Sequence, residues 1–228
     1  TLFDDVAFKK VSPSSPYYFF SPKNDRGKEE YLKGFGLTEL MPNNRTAVLT
    51  MGDSFVVADT KQELVDRIED LNANSYTEEQ LKEKYGLGKN YAAFVLSGLP
   101  LNTEEKIVKY AYRPFDYRWV CFDSKTGWRQ RMEVMKHLYR KENVAMTVCK
   151  QLATNEWNLV NVAEGLVDDC FVSNRTKERG YVFPLYLYEE NFGKIEKRPN
   201  FNAEVYDKIA AAVKRKPSPE EVFDYIYA

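Results

Sequence analysis

Basic side chains are concentrated in the middle of the chain, and their chemistry is the binding of anions. Residues 106–150 contain 11 basic and 4 acidic residues, a net charge of +7. The flanks are acidic: residues 1–105 contain 12 basic and 17 acidic residues, and residues 151–228 contain 10 and 13. Lysine and arginine neutralise phosphates, and arginine also binds the edge of guanine through its forked donors. A solvated face with acidic partners elsewhere in the fold is the alternative.

The candidate nucleic-acid-binding residues come from this segment and from a second, smaller basic group. The second group, residues 175–179, precedes Gly180 and is predicted to be a polar surface loop. Loops held on a rigid sheet often bear recognition residues. The candidates are Arg118, Lys125, Arg129, Arg131, Lys136, Arg140, Lys141, Arg175, Lys177 and Arg179.

Catalytic and metal-binding patterns are missing from the sequence. His137 is the only histidine, and no serine or cysteine has the context of a nucleophile, so a structural or phosphate-facing role is expected. No glycine-rich phosphate loop occurs, and no His/Cys cluster has metal-site spacing. Adjacent carboxylates such as Asp168 and Asp169 point to opposite faces of a strand and form no shared site. We therefore predict no catalytic residue and no metal ligand.

Cysteine usage and hydropathy favour the cytoplasm and argue against a membrane. Cys121, Cys149 and Cys170 form no CxxC pair, and an odd, sparse set indicates a reducing compartment. The apolar runs are far shorter than the ~20 residues of a membrane helix, and no signal peptide opens the chain. The chain begins without Met and stops inside an apparent amphipathic helix, so we expect a piece of a longer protein.

Helix signals occur early and late in the chain. A cap at Asp59 or Thr60 predicts a helix to about Leu71, and a capping box at Thr77 predicts one to about Tyr85. Apolar periodicity and Ser218-Pro219 at a helix start indicate further helices. The additional predicted helices are 28–33, 132–139, 201–214 and 218 onward.

Strand signals dominate the middle. Residues 113–116 contain a proline turn between two segments rich in β-branched and aromatic residues, which predicts a hairpin. In it, Arg113 could pair with Asp116 to lock the turn, and Tyr112, Phe115 and Trp119 are expected in the core. Gly52-Asp53 predicts a turn between two paired strands. The predicted strands are 17–20, 47–50, 55–57, 107–112, 117–122, 144–148, 159–162 and 181–188.

These elements predict an α+β fold, mixed, with a strand-rich central region and flanking helices. Near residue 105 the sequence changes from helix signals to segments rich in β-branched and aromatic residues, and this change divides the chain into two segments. Residues 1–105 form a helical/β segment, and residues 106–228 form a second domain.

Several motifs in a fixed order resemble the C-terminal target-recognition (specificity) domain of Type ISP and related Type IIG-like restriction-modification enzymes. Between the two arginines of its basic motif the family often has proline, where this chain has Gln130. The motifs are YYFFSP at 17–22, AVLTMGD at 47–53, YRPFDYRW at 112–119, RQR at 129–131, CFVS at 170–173, YVFPLYLY at 181–188 and EVFDYIYA at 221–228.

The resemblance implies a role in DNA target recognition. Residues 1–105 would follow a methyltransferase core, and residues 106–228 would be the specificity domain. The partners implied are double-stranded DNA and the methyltransferase and nuclease domains of the same parent chain. The fragment itself would not be an enzyme and would hold no cofactor, whereas S-adenosylmethionine and Mg²⁺ are expected for the parent, an adenine-specific DNA methyltransferase and endonuclease. A protein-interaction or scaffold module is the alternative, since aromatic residues suit interfaces.

Overall fold

The computed structural model describes residues 7–13, 18, 20, 26–101, 105–153, 159–175 and 178–228. The chain divides into two compact units, Thr1–Gly36 and Leu37–Ala228. In the described part of the first unit, helix α1 (Lys28–Tyr31) lies where a helical turn is predicted. The predicted strand at 17–20 includes residues outside the described part.

The second unit combines helices with three sheets, which confirms the α+β prediction. Its helices are α2 (Leu37–Leu40), α3 (Asp53–Val56), α4 (Lys61–Ala73), α5 (Glu78–Tyr85), α6 (Lys89–Ser97), α7 (Met132–Met135), α8 (Ala203–Val213) and α9 (Pro219–Tyr227). Its strands are β1 (Arg45–Thr46), β2 (Val57–Ala58), β3 (Ile107–Arg113), β4 (Asp116–Cys121), β5 (Val144–Cys149), β6 (Val160–Glu164), β7 (Leu166–Val167), β8 (Gly180–Pro184), β9 (Tyr186–Asn191) and β10 (Lys194–Pro199).

Helix starts follow the capping residues of the sequence. The Thr60 hydroxyl accepts the Glu63 amide at the start of α4. Thr77 and Ser218 each form a capping box, which begins α5 and α9, and the Asn202 side chain caps α8. Each cap satisfies amides that have no partner inside the helix. The predictions of these four helices are confirmed.

The strands form a β1-β8-β5-β6 sheet, a β2-β4-β3-β7 sheet and a separate β9-β10 hairpin. The first sheet separates two apolar cores because its side chains alternate between its faces. Ala145 on β5 and Val182 on β8 face the first core. Their neighbours Met146 and Phe183 face the second core. Helices α4 to α6 pack in the first core with the β2-β4-β3-β7 sheet, and α9 packs in the second.

The predicted strand pair around Gly52-Asp53 is wrong. Residues 53–56 form the helical turn α3, and β2 pairs instead with β4. The cause is tight packing at Gly52, where a Cβ atom would lie 1.9 Å from the Tyr91 ring. The chain passes this ring and turns at once into α3, with the Phe55 amide bonded to the Gly52 carbonyl.

Two other predicted elements are only partly correct. The 132–139 helix is reduced to the single turn α7, followed by further turns to Arg140. The 181–188 strand divides at Leu185 into β8 and β9, which belong to different sheets. The boundary near residue 105 stays a prediction; β2 and β4, from either side of it, share one sheet.

Candidate nucleic-acid interface

The β3-β4 hairpin is held by a buried polar network rather than by its own turn. Arg113 donates from Nη1 to Asp168 Oδ1 at 2.6 Å, and Tyr110 donates to Asp168 Oδ2 at 2.6 Å. The prediction that Arg113 pairs with Asp116 is therefore wrong. Because β7 runs parallel to β3, with Ala111 opposite Val167, the next residue, Asp168, lies beside the hairpin. Burial raises the pKa of Asp168, and the Tyr110 hydroxyl and Cys170 amide counter the shift by donating to the carboxylate.

Tyr112 joins this network to the first half of the chain. Its hydroxyl donates to Asp53 Oδ2 at 2.9 Å, and the centre of its ring is 3.9 Å from the guanidinium carbon of Arg113 and 4.3 Å from that of Arg118. Burial and the nearby Asp53 carboxylate raise the pKa of Tyr112 to about 12. The YRPFD motif thus has a structural role in holding the hairpin.

Three aromatic residues of the hairpin are predicted to lie in the core, and the prediction is correct for two of them. Tyr112 and Trp119 are half-buried and pack against the first core. Phe115 is 99% exposed at the hairpin tip with a left-handed φ of 66°, so its assignment to the core is wrong. The turn directs this side chain away from both sheets.

Two of the ten candidate residues are neutralised by aspartates. Arg118 lies 2.9 Å from Asp116 and 3.5 Å from Asp59, and Arg179 pairs with the buried Asp169. Asp168 and Asp169 therefore each have their own arginine, as expected of adjacent carboxylates without a shared site. The charges of Arg118 and Arg179 are already used within the fold.

The other candidates differ in how freely their charges are presented. Lys125 donates to the Pro100 carbonyl at 3.0 Å, and Arg140 to the Glu105 carbonyl at 2.5 Å. Lys177 lies outside the described residues. Lys125 and Arg140 form no ion pair within the described part of the chain. The same is true of the five remaining candidates, which are Arg129, Arg131, Lys136, Lys141 and Arg175.

Arg45, Arg129 and Arg131 form what we call the arginine cluster. The backbones of Arg129 and Leu49 exchange two hydrogen bonds, of 3.0 and 3.1 Å, and β1 places Arg45 nearby. Burial lowers the pKa of Arg131, and the charges of Arg129 and Arg45 lower it further. Arg131 Nε is buried with no hydrogen-bond partner among the described residues. One carboxylate, Glu133, lies 3.1 Å from Arg45.

A further cation lies near the cluster. Lys150 is 3.8 Å from the centre of the Tyr181 ring and donates to Asn44 Oδ1 at 3.1 Å. Burial lowers the pKa of Lys150. Tyr181 pairs with Thr46, the residue after Arg45, so this lysine and the cluster adjoin the same strand pair. Counting charges over residues 106–150 could not find Arg45, which reaches the cluster only through the pairing of β1 with β8.

His137, Cys121 and Cys149 are buried in the fold. His137 is buried, and its Nδ1 accepts the Tyr188 amide at 3.0 Å. Burial lowers the pKa of His137 and raises the pKa of Cys121 and Cys149 to about 11. Among the described residues no group of His, Cys, Asp and Glu could hold a metal. No helix in the described ranges is long and apolar enough to cross a membrane.

Comparison with known proteins identifies similar folds in solved structures of DNA complexes. A DrdV-DNA complex matches with a TM-score of 0.69 and 19% identity, over 100% of this chain and 24% of that one. A nuclease-deletion mutant of the Type ISP restriction-modification enzyme LlaGI, in complex with a DNA substrate mimic, matches with a TM-score of 0.60 and 12% identity, over 92% and 18%. The ATP-dependent Type ISP enzyme LlaBIII bound to DNA matches with a TM-score of 0.56 and 16% identity, over 84% and 13%.

The chain thus spans a quarter or less of these solved chains. A search of curated proteins gave no match. The family model described as the Type ISP C-terminal specificity domain matches residues 39–228, most of the chain. This protein belongs to the family of Type ISP C-terminal specificity domains.

Proposed function

We propose that this chain is the DNA target recognition module of a restriction-modification enzyme and that the catalytic domains lie outside it. Its membership of the specificity-domain family supports this role. The similarly folded chains of DrdV, LlaGI and LlaBIII are in complexes with DNA or a DNA substrate mimic. The chain's own contribution would be to bind duplex DNA and to select its sequence.

The observation that supports this function most directly is the arginine cluster. Three guanidinium groups lie together with one carboxylate, Glu133, although like charges repel. Arg131 Nε is buried and has no acceptor among the described residues, and a buried donor left unpaired costs free energy. A bound phosphate or guanine edge would supply both the negative potential and the acceptor.

Recognition divides into phosphate contacts, which set register, and base contacts, which set sequence. We assign the exposed Arg129 and Lys136 to phosphates and the partly buried Arg131 to a base edge. The locked β3-β4 hairpin is scaffold in this scheme because Arg113 and Arg118 already bind aspartates.

The parent enzyme would supply the chemistry. We propose that adenine methylation with S-adenosylmethionine and Mg²⁺-dependent cleavage belong to neighbouring domains, and that the present chain holds neither cofactor. The predicted absence of catalytic residues from this sequence agrees with that division.

The test is binding of the chain to duplex DNA containing the parent's site across a salt series. Each phosphate contact contributes about −0.9 to the slope of log K against log salt, so Arg129→Gln/Arg131→Gln should flatten the slope by about 1 through the loss of the Arg129 phosphate contact. Arg198→Gln/Arg215→Gln is a matched control, because it removes two charges that Glu189 and Glu221 already neutralise. Affinity that is independent of salt, or equal slopes for the two variants, would contradict the proposal.

A second candidate is a protein-interaction module within a larger enzyme, favoured by the exposed hairpin tips. Phe115 and Phe192 are fully exposed at the turns of β3-β4 and β9-β10, both with left-handed φ. Such side chains suit an apolar socket on another domain. If this is the function, Phe115→Ala/Phe192→Ala should release the chain from its neighbouring domains in a DNA-free pull-down, and the arginine variants should not.

A further inference from the structure

A cleft near the start of β3 combines cations with aromatic rings. It consists of two adjoining pockets, with volumes of about 320 Å³ and 690 Å³, that share Lys109, Lys141 and Gly165. The smaller pocket has an apolar floor, formed by side chains of β3 and β7 and by Leu138, and the Trp119 indole is part of its wall. The arginine cluster contributes no residue to either pocket.

Among the described residues, the charged groups that line the smaller pocket are all cations. Lys109, Arg140 and Lys141 line it, no carboxylate does, and none of the three forms an ion pair within the described part of the chain. Lys109 Nζ lies 4.7 Å from the centre of the Trp119 ring. A ligand for this pocket therefore needs both a negative charge and a flat apolar surface.

The larger pocket is aromatic but has balanced charge. Tyr117 and Tyr186 line it, and Lys197 Nζ lies 4.1 Å from the Tyr186 ring centre. Three glutamates, Glu142, Glu164 and Glu220, oppose its three lysines. A phosphate is therefore favoured in the smaller pocket, and the larger one offers rings on which a neighbouring base could stack.

We propose that this cleft binds a nucleotide, with its phosphate between Lys109, Arg140 and Lys141 and its base against Trp119. Positive grooves with aromatic platforms are the usual way in which proteins bind unpaired nucleotides. Two sources share this chemistry: a free nucleotide, or an unpaired nucleotide of a DNA strand. The second source rests on the proposed function, in which the chain binds DNA.

Tryptophan fluorescence tests the proposal directly. Deoxyadenosine 5′-monophosphate and a short single-stranded oligonucleotide should each change the emission, and Trp119→Phe should abolish the change while Trp128 and Trp157 still fluoresce. Lys109→Ala/Lys141→Ala should weaken binding about tenfold or more, because the phosphate loses two of its three cations. Lys61→Ala/Lys89→Ala, on exposed positions of α4 and α6, is the control with equal charge loss.

The outcomes separate this site from the proposed function. Tighter binding of the oligonucleotide assigns the site to a DNA strand, and equal binding of the mononucleotide assigns it to a free nucleotide. Arg129→Gln/Arg131→Gln should lose duplex affinity but keep its response to the mononucleotide, so either site can fail alone. No Trp119-dependent response to either probe, or equal weakening by the two lysine pairs in folded variants, would overturn the proposal.

Discussion

The β3-β4 hairpin and the arginine cluster use the same residue type in opposite ways. In the hairpin, Arg113 and Arg118 pair with aspartates, and both guanidinium groups lie against the Tyr112 ring. In the cluster, the positive charges of Arg129 and Arg45 act on Arg131, and Glu133 pairs with Arg45. Arg129 and Arg131 belong, like the hairpin, to the +7 segment, whereas Arg45 joins the cluster from outside it. Among the described residues, the cluster has more arginines than paired carboxylates, and the hairpin does not.

This difference indicates that the hairpin arginines stabilise the fold, whereas the arginines of the cluster serve binding. A partly buried arginine that pairs with an aspartate is expected to stabilise the fold, because removing it leaves the aspartate unsatisfied. A group of cations with too few anions beside it lowers stability by repulsion and is expected where a ligand supplies the missing anion. Mutations in the two regions should therefore change stability in opposite directions.

The largest expected effect comes from breaking the hairpin network at Asp168. Asp168→Ala removes the acceptor of Arg113, Tyr110 and the Cys170 amide, and should lower the free energy of unfolding by about 3 kcal/mol or more. Urea unfolding measures it. Asp116→Ala is the control, because that carboxylate is 38% exposed and its loss should cost about 1 kcal/mol at most. Equal losses in both variants would show that the Asp168 network does not hold the hairpin.

The sequence predicts the hairpin but not what holds it. Turn chemistry and β-branched residues are local signals, and β3 and β4 follow them. The partner of Arg113 lies 55 residues away and is fixed by the parallel register of β3 and β7, which no local pattern contains. Asp116, the carboxylate nearest in sequence, instead binds Arg118.

The candidate site was predictable only in part, because the sequence does not show which charges are neutralised by tertiary contacts. Charge counting finds Arg129 and Arg131, but it cannot distinguish them from Arg118 and Arg179, whose charges are neutralised by tertiary contacts. The longest elements that were not predicted are α6 and β10. Helix α6 follows Gly88, which offers no capping side chain, and β10 is exposed along most of its length and has no apolar face.

A moderate effect is expected from His137, which belongs to the same basic segment but is held neutral. Burial lowers its pKa, and the charges of Lys136 and Arg198 add to the shift, whereas the charge of Glu189 opposes it. The unfolded chain binds a proton near pH 6.5 and the folded chain does so only at lower pH, so stability should fall on acidification. We expect a loss of up to about 1 kcal/mol between about pH 7 and 5.5, measured by urea unfolding at each pH.

His137→Gln should remove this dependence on pH, because the chain has no other histidine. Asp168 cannot imitate the effect: its raised pKa makes the folded state bind a proton more tightly, so stability would rise as the pH falls. A variant that keeps the full slope would show that another group titrates in this range.

The smallest expected effect is the most direct test of the comparison. Arg129→Gln removes a charge that repels Arg131, so it should raise the free energy of unfolding by about 0.3 kcal/mol at low ionic strength. The gain should vanish in about 1 M salt, where the screening length is about 3 Å. Arg118→Gln should instead destabilise, since it breaks contacts with Asp116 and Asp59. If Arg129→Gln destabilises at low salt, then the cluster is not under electrostatic strain and has no unmet need for an anion.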